Sequence, residues 1–390
     1  MRAPPTAAGT TQLANVRPGA SRPAASAADQ MSASALDAGV GTPAPRAHRA
    51  ASTTTGSVPG ADCAREVISV ACREKRAAEC YPHDRGMDID IGIPIGKARR
   101  PILTYGTYPF LLVATIAVLV GTVHNGWDPD KVMGLLALGT IIVTFVVERL
   151  NPLRTEWQMT KDRLIHRDLP FIGLAVIVEQ LLQVAAQYVA IHLVPPGGFG
   201  LLAKLPLIGQ IIFALIATDL LWYAYHRTAH TWGSLWRFHS VHHSPSQVYV
   251  FVHQVFHPMD LFFSRFVVTL LAMSFTGISP MAAFCAIVII NLQQTVSHMN
   301  SDQRVGWLNY ILIGTETHRY HHSALHRGNY SSAIPLWDQV FGTFVYRPRE
   351  IPGRLGLDDP SQYPDPRKFH RTLAWPFSPS LVGTGGDEAA

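Results

Sequence analysis

The stretch Leu205-Pro-Leu-Ile-Gly-Gln-Ile-Ile-Phe-Ala-Leu-Ile-Ala-Thr-Asp219-Leu-Leu-Trp-Tyr-Ala-Tyr-His226-Arg-Thr-Ala-His230 is an apolar run that ends in a histidine pair. A helix needs about 20 apolar residues to cross a hydrocarbon layer roughly 30 Å thick, and Leu205 to Tyr223 supplies them. Three further runs have this character: Leu103 to Val123, Val132 to Val147, and Pro170 to Val194. The apolar stretch from Leu261 to Val296 is too long for one span and is interrupted at Gly277-Ile-Ser-Pro280. It reads as a helical hairpin, either two full spans or a re-entrant pair. Composition agrees, with 48% hydrophobic and only 15% charged residues, against about 25% charged in a soluble domain. The net charge of +5 does not point to nucleic acid, because the cations flank apolar runs instead of forming one basic face.

The histidine pair is the first of several. Of 18 histidines, twelve fall between His226 and His326. His226-Arg-Thr-Ala-His230 is H-x-x-x-H, His239-Ser-Val-His242-His243 is H-x-x-H-H, and His318-Arg-Tyr-His321-His322 repeats that pattern. Residues three and four apart share a helical face, so each cluster is expected to aim its imidazoles at one point. Eight such ligands exceed the four of a structural zinc site and suit two ions. Imidazole suits Fe, Zn, Cu and Ni alike, so ligand type leaves the metal open. Neither E-x-x-H nor H-E-x-x-H occurs, against a ferritin-like di-iron bundle and a zinc protease. The expected class is all-α: integral-membrane helical hairpins, four to six spans, carrying a histidine-rich metal domain.

Cations order the topology. Lys97, Arg99 and Arg100 precede the first run, and Arg149, Arg154, Lys161, Arg163 and Arg167 follow the second. Pro195-Pro-Gly-Gly198 and the break at Gly277 carry no charge. The positive-inside rule then places both histidine-rich regions on the cytoplasmic side.

Residues 1–86 are rich in Ala, Pro, Ser, Thr and Gly and are expected to be a disordered low-complexity tail. They lack the apolar core of a signal peptide and weakly resemble a transit peptide; the favoured reading is that translation starts at Met87. Cys63, Cys72 and Cys80, with His83, match no familiar metal site. The expected domain is 87–350, followed by an irregular tail over 351–390.

These boxes, with Leu235-Trp-Arg-Phe before His239, His257-Pro-Met-Asp260, Ser297-His298-Met-Asn300 and the stretch Asn329 to Thr343, resemble the sterol desaturase / fatty acid hydroxylase superfamily of membrane histidine-box di-iron oxygenases. The resemblance covers roughly 140–345 in detail. It implies metal ligands at His226, His230, His239, His242, His243, His318, His321 and His322, with His298 as a ninth. His257 is a weaker candidate that could instead cap a helix; His253 and His326 are read as solvent or loop histidines. It further implies two iron ions, with zinc as an alternative occupant in purified protein, and O2 as co-substrate. The reaction is hydroxylation or desaturation of a lipid C–H bond, on a sterol, fatty acyl, alkylglycerol or carotenoid substrate. Hydroxylation is favoured because single-domain bacterial-type members include several hydroxylases and monooxygenases. No electron-carrier motif is fused to the domain, so a separate ferredoxin or reductase is expected to dock on the basic cytoplasmic face. The rivals are a zinc-dependent membrane hydrolase, which lacks a visible nucleophile pattern, and a metal transporter, whose ligands belong at mid-membrane depth.

Two features outside the boxes remain. Asp219 shares a helical face with His226 and His230 and is expected to orient an imidazole through its second nitrogen. Glu179, Gln183 and Gln187 form a four-residue stripe within an apolar run; they either line a substrate site or glue helices together.

Overall fold

The computed structural model describes residues 93–96, 98–194, 200 and 202–377. All belong to the compact unit His83–Ala390; the unit Met1–Pro82 lies outside the described residues, as do the tail cysteines and Met87.

Five segments are long and apolar enough to cross a membrane. Four contain the helices α1 (Pro101–Asn125), α2 (Pro129–Leu150), α3 (Leu169–Leu193) and α4 (Leu207–Thr231). After α4 the chain turns into α5 (Gly233–His243) and α6 (Pro258–Leu261), which continues through wide turns at Phe262–Val267 and Leu270–Ser274. The fifth long helix, α7 (Pro280–Ser297), is followed by α8 (Thr315–His321), α9 (Leu336–Val340) and α10 (Phe369–Ala374). The described β-structure is one antiparallel pair, β1 (Ile93–Pro94) with β2 (Glu350–Ile351). The helical membrane architecture expected from the apolar runs is therefore present.

The helix ends follow local chemistry. Asp128 accepts hydrogen bonds from Asp130 N–H and Lys131 N–H, with Pro129 opening α2. Ser279 caps α7 in the same way, with Pro280 next. Between them and the preceding helix, Gly126 and Gly277 adopt φ of 64° and 77°, the left-handed turn that glycine makes without Cβ strain.

Helix α7 is the axis of the bundle, with 67% of its apolar window buried, against 11–33% in the other four segments. Its Ala286 and Ile290 pack with Ala214 of α4 and with Ala272 and Ala333. Small side chains at such a seam let backbones approach closely, which is how helices associate where lipid gives no hydrophobic drive. Elsewhere α1, α2 and α3 present large apolar side chains outward, among them Ile102, Phe110, Leu135 and Ile191, as lipid contact requires. Two buried threonines satisfy themselves within their own helices: the Thr122 and Thr144 hydroxyls donate to carbonyls four residues back.

At the end of the bundle where α2 stops and α3 starts, polar clamps hold the connecting segments. Buried Glu148 Oε1 accepts from Val250 N–H at 2.8 Å and Asn300 N–H at 2.7 Å. Asp168 pairs with Arg167 at 2.8 Å and accepts from the Tyr249 hydroxyl at 2.6 Å. Residues 351–377, expected to be irregular, include the end of β2 and all of α10 and pack inward through Ile351, Leu355, Leu357 and Trp375. Phe369 meets Phe171 of α3 edge-on at 4.9 Å. Their apolar side chains recur without helical or strand period, which is why the sequence pattern hides the packing.

Candidate metal centre

Nine histidines converge at this same end of the bundle in two groups. His226 and His230, one turn apart near the end of α4, join His239 and His243 of α5 and His321 of α8. The second group is His242 of α5, His298 at the C-terminal cap of α7, His318 of α8 and His322 at its C-terminal cap. Within each group the ligand atoms lie within 4.8 Å of one another. The expectation that each box aims at one point needs correction. Both H-x-x-H-H boxes divide, the i,i+4 pair serving one group and the remaining histidine the other. On α5 the pair is His239 and His243, whereas on α8 it is His318 and His322.

Hydrogen bonds at the far side of the rings fix their tautomers. Nδ1 of His226 lies 2.6 Å from Tyr330 O, of His242 3.2 Å from Val255 O, of His298 2.8 Å from Gln294 O, and of His321 3.0 Å from Gly328 O. His239 Nδ1 lies 2.9 Å from Asp260 Oδ2. Carbonyl and carboxylate oxygens only accept, so these five Nδ1 atoms carry the proton and each Nε2 presents a lone pair. The Trp222 indole N–H also lies 3.2 Å from His226 Nδ1; the shorter contact, to Tyr330 O, decides that tautomer.

The Nε2 atoms then face one another. His226 and His239 are 2.9 Å apart, His243 and His321 3.1 Å, and His242 and His298 3.2 Å. Lone pairs at such distances repel unless a cation lies between them. Burial opposes a proton in that role: it pushes His242, His243, His318, His321 and His322 well below their ordinary value and His298 down to about 4. Nitrogens about 2.1 Å from one ion and at right angles lie about 3.0 Å apart, in line with the observed spacings. Both ring nitrogens of His230 are buried without a hydrogen-bond partner among the described residues. The donor set therefore fits a metal ion in each group.

The surroundings differ from expectation in three places. Asp219 meets no histidine; its Oδ1 accepts from Ser332 N–H at 2.9 Å and Ala333 N–H at 2.8 Å. Asp338 accepts from Tyr330 N–H and Ser331 N–H, both at 2.8 Å. Together they pin the turn whose Tyr330 carbonyl orients His226, so Asp219 acts one step further out. The carboxylate that does touch a ring is Asp260, which also accepts from the Tyr225 hydroxyl. Its sequence signal was the polar residue three places after His257, at the head of an apolar stretch. His257 joins neither group; its Nδ1 accepts from Met259 N–H at 3.1 Å and caps α6. The third difference lies on α3, where Glu179 lines a half-open pocket between helices while Gln183 and Gln187 are exposed.

Two positions were not legible as site residues. His253 is buried, with its ring 5.3 Å from that of His298. Gly328 is the other: a Cβ there would lie 2.5 Å from Thr343 O, so only glycine lets this segment close over His321.

A helical membrane protein with two buried all-imidazole groups at the ends of its apolar helices is a defined class. Residues 211–343 match the fatty acid hydroxylase family. The chain is similar to an ornithine lipid hydroxylase of Rhizobium tropici, 29% identical over 62% of this chain and 74% of the relative. It is also similar to a very-long-chain aldehyde decarbonylase of Oryza sativa subsp. indica, 30% identical over 37% of this chain and 57% of the relative. A methylsterol monooxygenase of Arabidopsis thaliana is 29% identical over 34% of this chain and 52% of that relative. The chain thus spans little more than half the length of the latter two. Residues 211–343 thus carry a domain of the fatty acid hydroxylase family. No solved structure matches the chain.

Proposed function

We propose that the protein is an O2-dependent lipid hydroxylase that holds two iron ions, one in each histidine group. The observation that carries this reading is the convergence of unprotonated imidazole nitrogens at 2.9–3.2 Å in two adjoining buried groups. Iron bound there supplies the redox chemistry that reduces dioxygen and breaks an unactivated C–H bond. The chain's own residues do the rest. His226, His230, His239, His243 and His321 bind one ion, and His242, His298, His318 and His322 the other. Asp260 and the carbonyls of Tyr330, Val255, Gln294 and Gly328 hold the rings in the binding tautomer. Phe256, stacked on His242 at 4.1 Å, and Trp222 keep water from the centre. The substrate is a lipid, supported by relatives whose names specify ornithine lipid, methylsterol and very-long-chain aldehyde. Electrons come from a separate ferredoxin or reductase. Domain 87–350 carries the site, with residues 1–86 outside it.

The test is metal analysis of the purified protein combined with oxygen uptake and lipid product analysis. Two irons per protomer and reductant-dependent formation of a hydroxylated lipid are expected. Zinc that supports lipid hydrolysis without oxygen uptake would overturn the reading.

We further propose that the metal centre faces the cytoplasm. The cation-rich segments 148–169 and 298–377 lie at its end of the bundle, as the positive-inside rule requires. In a background without native cysteines, Thr155→Cys and Lys368→Cys are expected to label only from the cytoplasm. Asn125→Cys and Lys204→Cys should label only from the opposite side. The reverse pattern refutes this orientation.

A further inference from the structure

A half-open cavity of about 160 Å3 lies between the helices, lined by Leu136 and Ile141 of α2, Val288 and Leu292 of α7, and Glu179 of α3. A cavity of about this size holds a benzene-sized group; the side lined by Leu136, Ile141, Val288 and Leu292 suits part of an alkyl chain, while Thr115, Thr140, Asn291 and Thr295 make the remainder polar. A smaller cavity of about 20 Å3 lies against the metal centre, lined by His226, His239, His242, His298 and His318. Two side chains, His253 and Arg265, line both. Gln254 borders the larger cavity and Gln294 the smaller.

These four residues carry buried polar atoms that the protein leaves unused. His253 Nδ1, Gln254 Oε1, Arg265 Nε and Gln294 Nε2 have no hydrogen-bond partner among the described residues. Arg265 Nε lies 3.7 Å from Glu179 Oε1, an ion pair beyond hydrogen-bond reach, while its guanidinium donates to Gln294 Oε1. Buried polar groups are almost always paired. Four unpaired atoms around the junction of two cavities therefore mark where a ligand's polar atoms belong.

The chemistry of the four narrows the ligand. Arg265 Nε–H and the Gln294 amide donate, and Gln254 Oε1 accepts. Arg265 and Glu179 together carry no net charge, which disfavours a bound ion and suits a dipole. A group that both accepts and donates fits: an amide or a hydroxyl. We propose that His253, Gln254, Arg265 and Gln294 form a polar collar that binds the amide or hydroxyl group of a lipid whose alkyl chain occupies the larger cavity. Holding that group beside the smaller cavity brings the carbons next to it closest to the metal centre and leaves the rest of the chain pointing away. That this placement serves oxidation rests on the lipid hydroxylase reading; the binding itself does not.

The test is equilibrium binding of radiolabelled oleamide, oleyl alcohol, oleate and 1-octadecene to the full-length, metal-loaded protein in nanodiscs. It needs no turnover, so its outcome is separate from that of the oxidation assay. Wild type is expected to bind oleamide and oleyl alcohol roughly tenfold more tightly than octadecene, the difference that hydrogen bonding to a charged partner makes. Gln254→Leu and Arg265→Gln should remove that preference and leave octadecene binding unchanged. The leucine costs the protein no side-chain hydrogen bond among the described residues. Equal binding of all four ligands by wild type overturns the collar. So does preferential binding of oleate, which means charge recognition, or an oleamide preference that survives in both variants, which means that these side chains do not hold the polar group.

Discussion

His321→Ala is expected to abolish turnover and to lower bound metal below two ions per protomer while the protein stays inserted in the membrane. His321 Nε2 lies 3.1 Å from His243 Nε2, and its Nδ1 is held by Gly328 O at 3.0 Å. Alanine removes one of the five nitrogens of its group and leaves a ring-sized void among buried imidazoles. Loss of a residue that merely orients a metal ligand costs about 10–100-fold in affinity or activity, and loss of the ligand costs more. The informative control is His326→Ala. Helix α8 ends at His321, and His326 lies in the following loop in neither group. That variant should keep most of its metal and activity. Iron per protomer and product per minute, measured for both in matched detergent, decide the matter. Full activity in His321→Ala would sink the two-ion assignment, and equal losses would extend the site to His326.

The second large effect is expected at Asp260. This carboxylate is fully buried, with Oδ2 accepting from His239 and Oδ1 from Tyr225. Asp260→Ala frees His239 to rotate or change tautomer, so the five-histidine group should lose about 10–100-fold in metal affinity. The four-histidine group makes no contact with Asp260 and should keep its ion. Metal titration of the variant should therefore resolve one intact and one weakened site. Asp260→Asn, which retains an acceptor oxygen for His239, should lose less. A uniform loss from both groups, or no loss, contradicts the role assigned to Asp260.

Much of this architecture is legible in the sequence because membranes impose a length and helices a period. The four runs from Leu103 to Tyr223 match α1 to α4 within a few residues at most ends, and the break at Gly277 matches the turn before α7. The convergence of nine histidines follows from i,i+3 and i,i+4 spacing plus a shared end of the bundle. What spacing cannot supply is how elements cross. The division of each H-x-x-H-H box between two groups depends on how α5 meets α8, which no local pattern encodes. Asp219 has the right helical face yet its carboxylate meets the backbone of 332–333, because that turn folds between it and the histidines. Gln183 and Gln187 share a stripe with Glu179, but α3 buries too narrow a strip of surface to cover all three. His253 sits in an apolar segment without helical period, so nothing local set it apart from a loop histidine.

The order in which the ribosome delivers these parts has a consequence for maturation. His226 and His230 emerge early, yet their partner His321, the Tyr330 carbonyl and the Gly328 closure come about a hundred residues later. Tyr363, which accepts a hydrogen bond from Trp236 beside His230 and His243, comes later still. The membrane helices can be inserted and paired long before either imidazole group is complete. Loading with metal is therefore a late event in biogenesis, made after translation has passed the third box. Until then the cell must keep a half-built, histidine-lined cleft from capturing whichever divalent ion is most available.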